Sequence, residues 1–339
     1  MVWTRRLCAV AWAVMTMGVG ASAAEAQDEL PGVSLGLVYA NSYLPALAVQ
    51  PFTGAFGGDM LAPQVEAIVG RDLRNSDRFE VIDSLPDALV GSQVDYALWD
   101  RLGAVWLVTG EVEGAGDGYL LIVELHDVVY GEVRDRGRFR LPSESDDDFR
   151  MAVHRTSDEI VRWATGDPGM AASRIAFTMV GNDGNKEVYV IDSDGENLQQ
   201  VTDYNSMTES PTWSPDGSRL ALASWKTGVP RIYEVDRFGT ELRALPPMRG
   251  AGDYVTPAYH PDGRTLAFTV NGSANQSGIF TYDLEADCCL AFLSGGPWYD
   301  ISPTYSPDGR WLAFNTLRFG DNVPQVMRMP SEGGAAETL

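Results

Sequence analysis

One phrase occurs three times at a constant interval in the second half of the chain. Each copy contains Ser-Pro-Asp-Gly or His-Pro-Asp-Gly, followed by a short apolar run, Leu-Ala-Leu or Leu-Ala-Phe. The aspartates of these turns, Asp216, Asp262 and Asp308, are 46 residues apart each time. The copies occupy residues 210–222, 256–268 and 302–314, and a weaker copy of the apolar run stands at residues 174–177. A repeat of this length means that the second half is built from copies of one structural unit.

The chemistry of the phrase indicates what that unit is. Proline presets φ for a turn, aspartate bonds to nearby backbone, and glycine takes positive φ, so each copy reads as a turn followed by a buried strand. A second apolar segment then ends in aspartate at Asp192, Asp236 and Asp283. Two hairpins per repeat are typical of a β-propeller with one four-stranded blade per repeat. We therefore assign the repeated aspartates and glycines to the structure of the blades.

About four repeats fit between residues 172 and 339, which we predict to be an all-β propeller domain. Closed propellers have about four to eight blades. The fourth repeat stops at Leu339, at a point where the earlier repeats are still within a blade. We therefore expect this chain to be a shortened copy of a longer propeller protein.

Residues 1–26 have the pattern of a secretory signal peptide. Arg5 and Arg6 precede a short apolar core, and small residues follow it at a cleavage site. No other segment is apolar enough to cross a bilayer. The prediction is a soluble, exported protein of the periplasm. Its net charge of −22 argues against binding to nucleic acid or to an anionic membrane surface.

Residues 28–168 show no repeat and are predicted to form an α/β domain with a mixed sheet. Strands alternate with helices, and Pro63 suits the first turn of the first helix. The acidic run at residues 146–148 is expected to cap the last helix. The predicted strands are residues 46–52, 79–82, 104–110, 119–129 and 133–141, and the predicted helices are residues 63–75, 94–102 and 149–164.

Several patterns resemble catalytic or metal sites. Residues 32–36 match Gly-x-Ser-x-Gly, but they run into an extended segment instead of the strand, turn and helix that this motif requires. The histidines, His126, His154 and His260, have no second histidine or cysteine at metal-ligand spacing. Cys288 and Cys289 are adjacent, so we expect no disulfide between them. We therefore predict no catalytic residue, metal or cofactor.

Phrases outside the repeat resemble the TolB family, the periplasmic propeller proteins of the Tol-Pal system. The matching segments are residues 72–79, 103–110, 125–127, 154–159, 165–166 and 173–177. The resemblance covers residues 28–339 and implies a six-bladed propeller. Asp77 departs from the family pattern, since it stands where glycine is common.

The resemblance also implies a function without catalysis. Members of this family are scaffolds: their propeller binds the lipoprotein Pal and their mature N-terminus binds TolA, which supports outer-membrane integrity and constriction at cell division. The matching propeller positions precede each Ser-Pro or Thr-Pro, and the N-terminal positions open the mature chain. The implied Pal contacts are Asp253, Tyr254, Thr256, Asp300 and Ile301, and the implied TolA contacts are Asp28, Glu29 and Leu30. We expect a monomer.

Two other readings stay open. Similar propellers gate the active site of exported prolyl-oligopeptidase-type peptidases, whose hydrolase domain would then have to lie outside residues 1–339. A carbohydrate-binding propeller would instead gather exposed aromatic side chains at one end, for which Trp225, Trp298 and Tyr299 are candidates.

Overall fold

The computed structural model describes residues 44–82, 93–181, 183–246, 252–272, 277–296, 298–320 and 323–339. The described residues between 44 and 165 form a mixed sheet with helices and are called the N-terminal domain below. Its elements are β1 (Ala46–Val49), β2 (Thr53–Ala55), α1 (Ala62–Asn75), β3 (Glu80–Ile82), α2 (Tyr96–Arg101), β4 (Trp106–Ala115), β5 (Gly118–Asp127), β6 (Glu132–Leu141) and α3 (Phe149–Thr165).

The sheet is mixed, as predicted. Its order is β3-β1-β4-β5-β6, and β2 also pairs with β4. The pairs of β1 with β3 and with β4 are parallel, whereas β4, β5 and β6 are antiparallel neighbours. Both predicted long helices are present, and α1 carries a proline in its first turn.

The two faces of the sheet are covered by different helices. Leu47 of β1 packs in one core with Val65 of α1 and Val153 of α3. The next residue along β1, Ala48, points to the opposite face and packs with Trp99 of α2. The alternation of side chains along a strand therefore gives each face its own helical cover.

The turn after α1 explains how aspartate can stand at position 77, where the TolB family commonly has glycine. Asp77 has a φ of 55°, in the left-handed region that glycine adopts without strain. Aspartate is one of the few other residues that visit this region, because its short side chain bonds locally. The backbone here therefore favours glycine, and Asp77 retains the same conformation.

Four antiparallel sheets follow in a propeller-like arrangement, which confirms the predicted fold class. The first sheet has three strands among the described residues, and each of the others has four. The strands of the first two sheets are β7 (Arg174–Val180), β8 (Lys186–Asp192), β9 (Gln199–Gln200), β10 (Thr208–Trp213), β11 (Arg219–Ser224), β12 (Arg231–Asp236) and β13 (Glu241–Ala244). Those of the last two are β14 (Asp253–Tyr259), β15 (Thr265–Asn271), β16 (Ser277–Asp283), β17 (Cys288–Ser294), β18 (Asp300–Tyr305), β19 (Trp311–Thr316), β20 (Gln325–Pro330) and β21 (Glu337–Thr338).

The repeated Leu-Ala-Leu/Phe run determines how consecutive sheets pack. In β11, Leu220 and Leu222 pack against the first sheet, while Ala221 and Ala223 pack against the third. The third and fourth sheets repeat this arrangement, with the bulky residues toward the preceding sheet. A small residue on the other face lets the next sheet approach closely. The repeat therefore determines which face of each sheet packs against the preceding sheet and which packs against the next.

The cysteine prediction was wrong, because Cys288 and Cys289 are joined by a disulfide in β17. In a regular strand, successive side chains point to opposite faces. The backbone at Cys289 is left-handed, with a φ of 65°, and breaks this alternation. The bond therefore lies at an irregular position of an exposed strand.

Within the described ranges, none of the helices has the length and apolar character needed to span a lipid bilayer.

Candidate partner-binding end of the propeller

Each propeller sheet has two chemically different ends. In the second sheet, Thr208 at the start of β10 lies opposite Ser224 at the end of β11. The Ser-Pro-Asp-Gly turn and the turn between β12 and β13 lie at the other end, where Arg219 faces Asp236. We call these the bulge end and the turn end. Strands of about six residues hold them roughly 20 Å apart.

The bulge end is named for an irregularity that recurs in three sheets. The strand register shifts between Glu209 and Thr212 in β10, and at the corresponding positions of β14 and β18. The residue before proline is left-handed each time, with φ of 57° at Ser210, 49° at Thr256 and 55° at Ser302. Non-glycine residues rarely adopt this conformation. The Ser-Pro or Thr-Pro of the repeat therefore produces a bulge that redirects the first strand.

One buried threonine links two of these bulges. The hydroxyl of Thr256 lies 2.7 Å from that of Thr269 in β15. The same Thr269 hydroxyl accepts a hydrogen bond from the backbone N–H of Ser302 at 3.1 Å. The bulges of the third and fourth sheets are thus held in fixed relation to each other.

Two residues predicted to contact a partner lie inside the protein. Asp300 is 0% exposed and accepts hydrogen bonds from Ser294 and Thr316, each at 2.6 Å, and from Arg318. Tyr254 is 1% exposed, and its ring packs 5.0 Å from that of Phe268. Both side chains hold the bulge end together and have no accessible surface for direct contact in this structure.

The other three predicted propeller positions are half-buried, and they are Asp253, Thr256 and Ile301. Asp253 opens β14 opposite Asn271, and Ile301 lies opposite Asn315 at the bulge of β18. The structure therefore brings these three positions to one end of the propeller. Their contact with a partner stays a prediction.

The predicted site omitted two cations at the bulge end. Lys226 and Arg318 each follow the end of the apolar strand by two residues, so aligning the repeats could have found them. The Lys226 ammonium lies 3.9 Å from the ring centre of Tyr204, and the Arg318 guanidinium lies 5.6 Å from that of Trp298. Burial lowers the pKa of Lys226, but the hydrogen bond to Glu241 and the charges of Glu241, Tyr204 and Tyr233 together raise it overall. This end therefore combines cationic and aromatic groups.

The turn end is occupied by the N-terminal domain. Asp148, at the start of α3, accepts hydrogen bonds from Arg237 at 2.7 and 3.0 Å and from Arg174 at 3.0 Å. Its carboxylate makes no capping bond to the helix, so the predicted cap is replaced by contacts between domains. The hydrogen bond from Arg237 is the main reason that the pKa of Asp148 falls to about 2.

A histidine lies at the centre of this domain junction. His154 of α3 is 0% exposed, and its Nδ1 lies 2.8 Å from Oδ2 of Asp72 in α1. Its Nε2 has no hydrogen-bond partner among the described residues and lies 3.6 Å from Oδ2 of Asp194, in the turn after β8. Arg150 also pairs with Asp194. The junction is therefore an array of ion pairs between α3 and the first sheet.

His154, Asp192 and Asp194 are also the described residues closest to a metal-binding arrangement. One potential ligand atom from each lies within 4.8 Å of the others. However, both carboxylates already accept bonds from arginine, Asp192 from Arg174 at 3.1 Å and Asp194 from Arg150. A divalent ion would have to displace these cations, so we interpret the group as a link between domains.

Three predictions made from the sequence concern residues that the structure does not describe: the signal peptide, the Gly-x-Ser-x-Gly match and the N-terminal partner positions Asp28, Glu29 and Leu30. The candidate aromatic residues of a carbohydrate site do not form one exposed group. Trp298 is 38% exposed, while Trp225 and Tyr299 are half-buried.

Comparison with known proteins gives matches to both parts of the chain. A family model described as the TolB beta propeller domain matches residues 161–339. A second model, the TolB amino-terminal domain, matches residues 39–133. In three dimensions the chain is similar to the crystal structure of TolB from Acinetobacter baumannii, with a TM-score of 0.72 and 26% identity over 87% of this chain and 71% of that one.

Curated sequences agree with the family models. The chain is 34% identical over 230 residues to the Tol-Pal system protein TolB of Albidiferax ferrireducens, which covers 67% of this chain and 51% of that protein. It is 32% identical over 268 residues to the protein of the same name from Anaeromyxobacter sp. strain K, covering 77% of this chain and 59% of the relative. The chain thus spans about half the length of the curated relatives it matches.

Proposed function

Because the chain belongs to the TolB family, we propose that it is a periplasmic, non-catalytic scaffold of the Tol-Pal system. In this proposal a signal peptide at residues 1–26 directs export. The bulge end of the propeller binds the lipoprotein Pal, and the start of the mature chain, at Asp28, Glu29 and Leu30, binds TolA. The scaffold would thereby support outer-membrane integrity and constriction.

The observation that carries the proposal is the recurrence of left-handed Ser210, Thr256 and Ser302 at one end of the propeller. Strained backbone of this kind persists where the surrounding structure enforces it, and it concentrates at binding sites. The N-terminal domain occupies the opposite end through Asp148 and Arg237. The bulge end is therefore the end that the N-terminal domain leaves open to a protein partner.

Buried and half-buried positions have different roles in this proposal. Asp253, Thr256 and Ile301 supply contacts, whereas Asp300 and Tyr254 hold the strands that carry them. Substitution of Asp300 would then reduce partner binding by loosening the bulge end. In this proposal the two functional domains are residues 28–168 and residues 172–339.

Photo-crosslinking in living cells tests the propeller surface. A photoreactive amino acid at position 253 or 301 is expected to capture Pal. The same probe at Arg264, an exposed residue of the turn end, is the matched control and should capture no Pal. Capture of Pal from position 264 alone, or from none of the three positions, would contradict the proposal.

Deletion of residues 28–30 from the exported protein tests the second partner. We expect loss of TolA from pull-downs with Pal retained, since the propeller is unchanged. Unchanged recovery of TolA would reject the N-terminal contact and leave the Pal surface unaffected.

A further inference from the structure

The N-terminal domain presents a long edge strand with unusual chemistry. β6 has ten residues and ends the strand order of the mixed sheet, so no described strand pairs with its outer side. The outer side of an edge strand carries unpaired N–H and C=O groups that another strand can pair with. Proteins use such edges to bind extended peptides.

The two faces of β6 differ. Phe139 packs toward α3, with its ring centre 6.0 Å from that of Trp163. Side chains alternate along a strand, so Arg136, Arg138 and Arg140 lie on the face away from α3. All three arginines are exposed. A row of three cations stands out in a chain with a net charge of −22.

Most of this positive charge is not neutralised within the protein. Arg136 forms an ion pair with Glu124 of β5 at 3.0 Å. Across the parts of the chain that the structure describes, Arg138 and Arg140 have no ion-pair partner. They lie opposite the half-buried side chains of Ile122 and Leu120 in β5. The edge therefore presents two arginines without ion-pair partners among the described residues, next to the apolar side chains of Ile122 and Leu120.

We propose that β6 binds an extended acidic segment of another protein by strand addition. Backbone hydrogen bonds along the free edge supply affinity, and acidic side chains at alternate positions lie beside Arg136, Arg138 and Arg140. Opposite charges on neighbouring strands stabilise their pairing. A second copy of β6 is a poor occupant, because its arginines would face like charges.

The surface is distinct from those of the proposed function. It lies on the sheet of the N-terminal domain, whereas the bulge end belongs to β10, β14 and β18. Its test is therefore independent of binding to Pal or TolA.

The probe is a fluorescein-labelled peptide of eight residues that alternates glutamate with valine, and its matched control replaces glutamate with glutamine. Fluorescence anisotropy with the full chain should give at least tenfold tighter binding for the glutamate peptide. The double variant Arg138→Glu with Arg140→Glu should weaken that binding at least tenfold. The charge-matched control, Arg264→Glu with Arg310→Glu, alters two exposed arginines of the propeller turns and should change it less than twofold.

Hydrogen exchange locates the bound peptide. Amides of β6 are expected to exchange more slowly in the complex, and those of the propeller to remain unchanged. Arg138→Gln with Arg140→Gln provides a milder variant if charge reversal impairs folding, as judged by circular dichroism.

Four results would overturn the proposal. The first is that the glutamate peptide does not bind, and the second is that both charge-reversed variants lose the same affinity for it. The third is that the amides of β6 exchange equally fast with and without the peptide. The fourth is that a short DNA duplex displaces the glutamate peptide as effectively as unlabelled peptide does. The last result would mean that the arginines attract any polyanion.

Discussion

The first and second sheets of the propeller carry the same apolar run in different surroundings. Ile175 of the first sheet and Leu220 of the second occupy equivalent positions of the repeat. Ile175 is 52% exposed, whereas Leu220 is 0% exposed. The difference arises because Leu220 packs against the first sheet, while no described sheet covers Ile175. A repeated sequence thus becomes a buried core only where a neighbouring repeat supplies the other half.

The first and second sheets also differ in the contacts that their carboxylate side chains make. The first sheet meets the N-terminal domain through two ion pairs, Asp194 with Arg150 and Arg174 with Asp148. The second sheet places Glu234, 2% exposed, toward the third sheet, where it accepts a hydrogen bond from Tyr259. Stability between sheets should therefore depend on packing and buried hydrogen bonds, and attachment of the N-terminal domain on ion pairs, of which those of Asp148 are partly exposed.

The largest expected effect comes from the equivalent apolar positions. Leu220→Ala should lower the free energy of unfolding by about 3 kcal/mol, because it leaves a cavity between two sheets. Ile175→Ala should cost less than about 1 kcal/mol, since half of that side chain already contacts solvent. Urea unfolding measures both values, and equal losses would contradict the dependence on a neighbouring sheet.

An intermediate effect is expected for the buried tyrosine between the second and third sheets. Burial, followed by the Glu234 carboxylate, raises the pKa of Tyr259. Tyr259→Phe removes a 2.7 Å hydrogen bond to a buried carboxylate and should cost about 1–2 kcal/mol. Tyr282→Phe is the matched control, because its hydroxyl bonds within one sheet to the exposed Asp287. If Tyr282→Phe lowered the free energy of unfolding as much as Tyr259→Phe, the loss would not be due to a hydrogen bond between sheets.

How far the sequence predicts this structure depends on the range of each interaction. The turns, the strands and helix α1 follow from local chemistry, and the structure confirms the fold class that they indicate. Asp148 and Arg237 are 89 positions apart, and no local pattern pairs them. The repeat indicates that residues 210, 256 and 302 are equivalent, and the structure gives all three the same left-handed backbone. The repeat did not reveal that Asp300 and Tyr254 are buried, because burial depends on strand register and on the neighbouring sheet.

The smallest expected effect concerns the domain junction, which joins α3 to both sheets through Asp148. Hydrogen bonds from Arg237 and Arg174 lower the pKa of Asp148 to about 2, from the ordinary aspartate value of 3.8. Because the pKa is lower in the folded state, the stabilisation is present above pH 3.8 and is lost as the pH falls toward 2.

Since the Asp148 side chain is 40% exposed, solvent should limit this stabilisation to less than about 1 kcal/mol. Asp148→Asn should therefore destabilise the protein slightly at pH 7, less so in high salt, and much less near pH 2, where about half of the Asp148 carboxyls are protonated in the folded state. Thermal unfolding across this range measures the effect. A difference between variant and wild type that persists unchanged at pH 2 would mean that Asp148 acts through packing and not through its charge, and the contrast between the two kinds of interface would not hold.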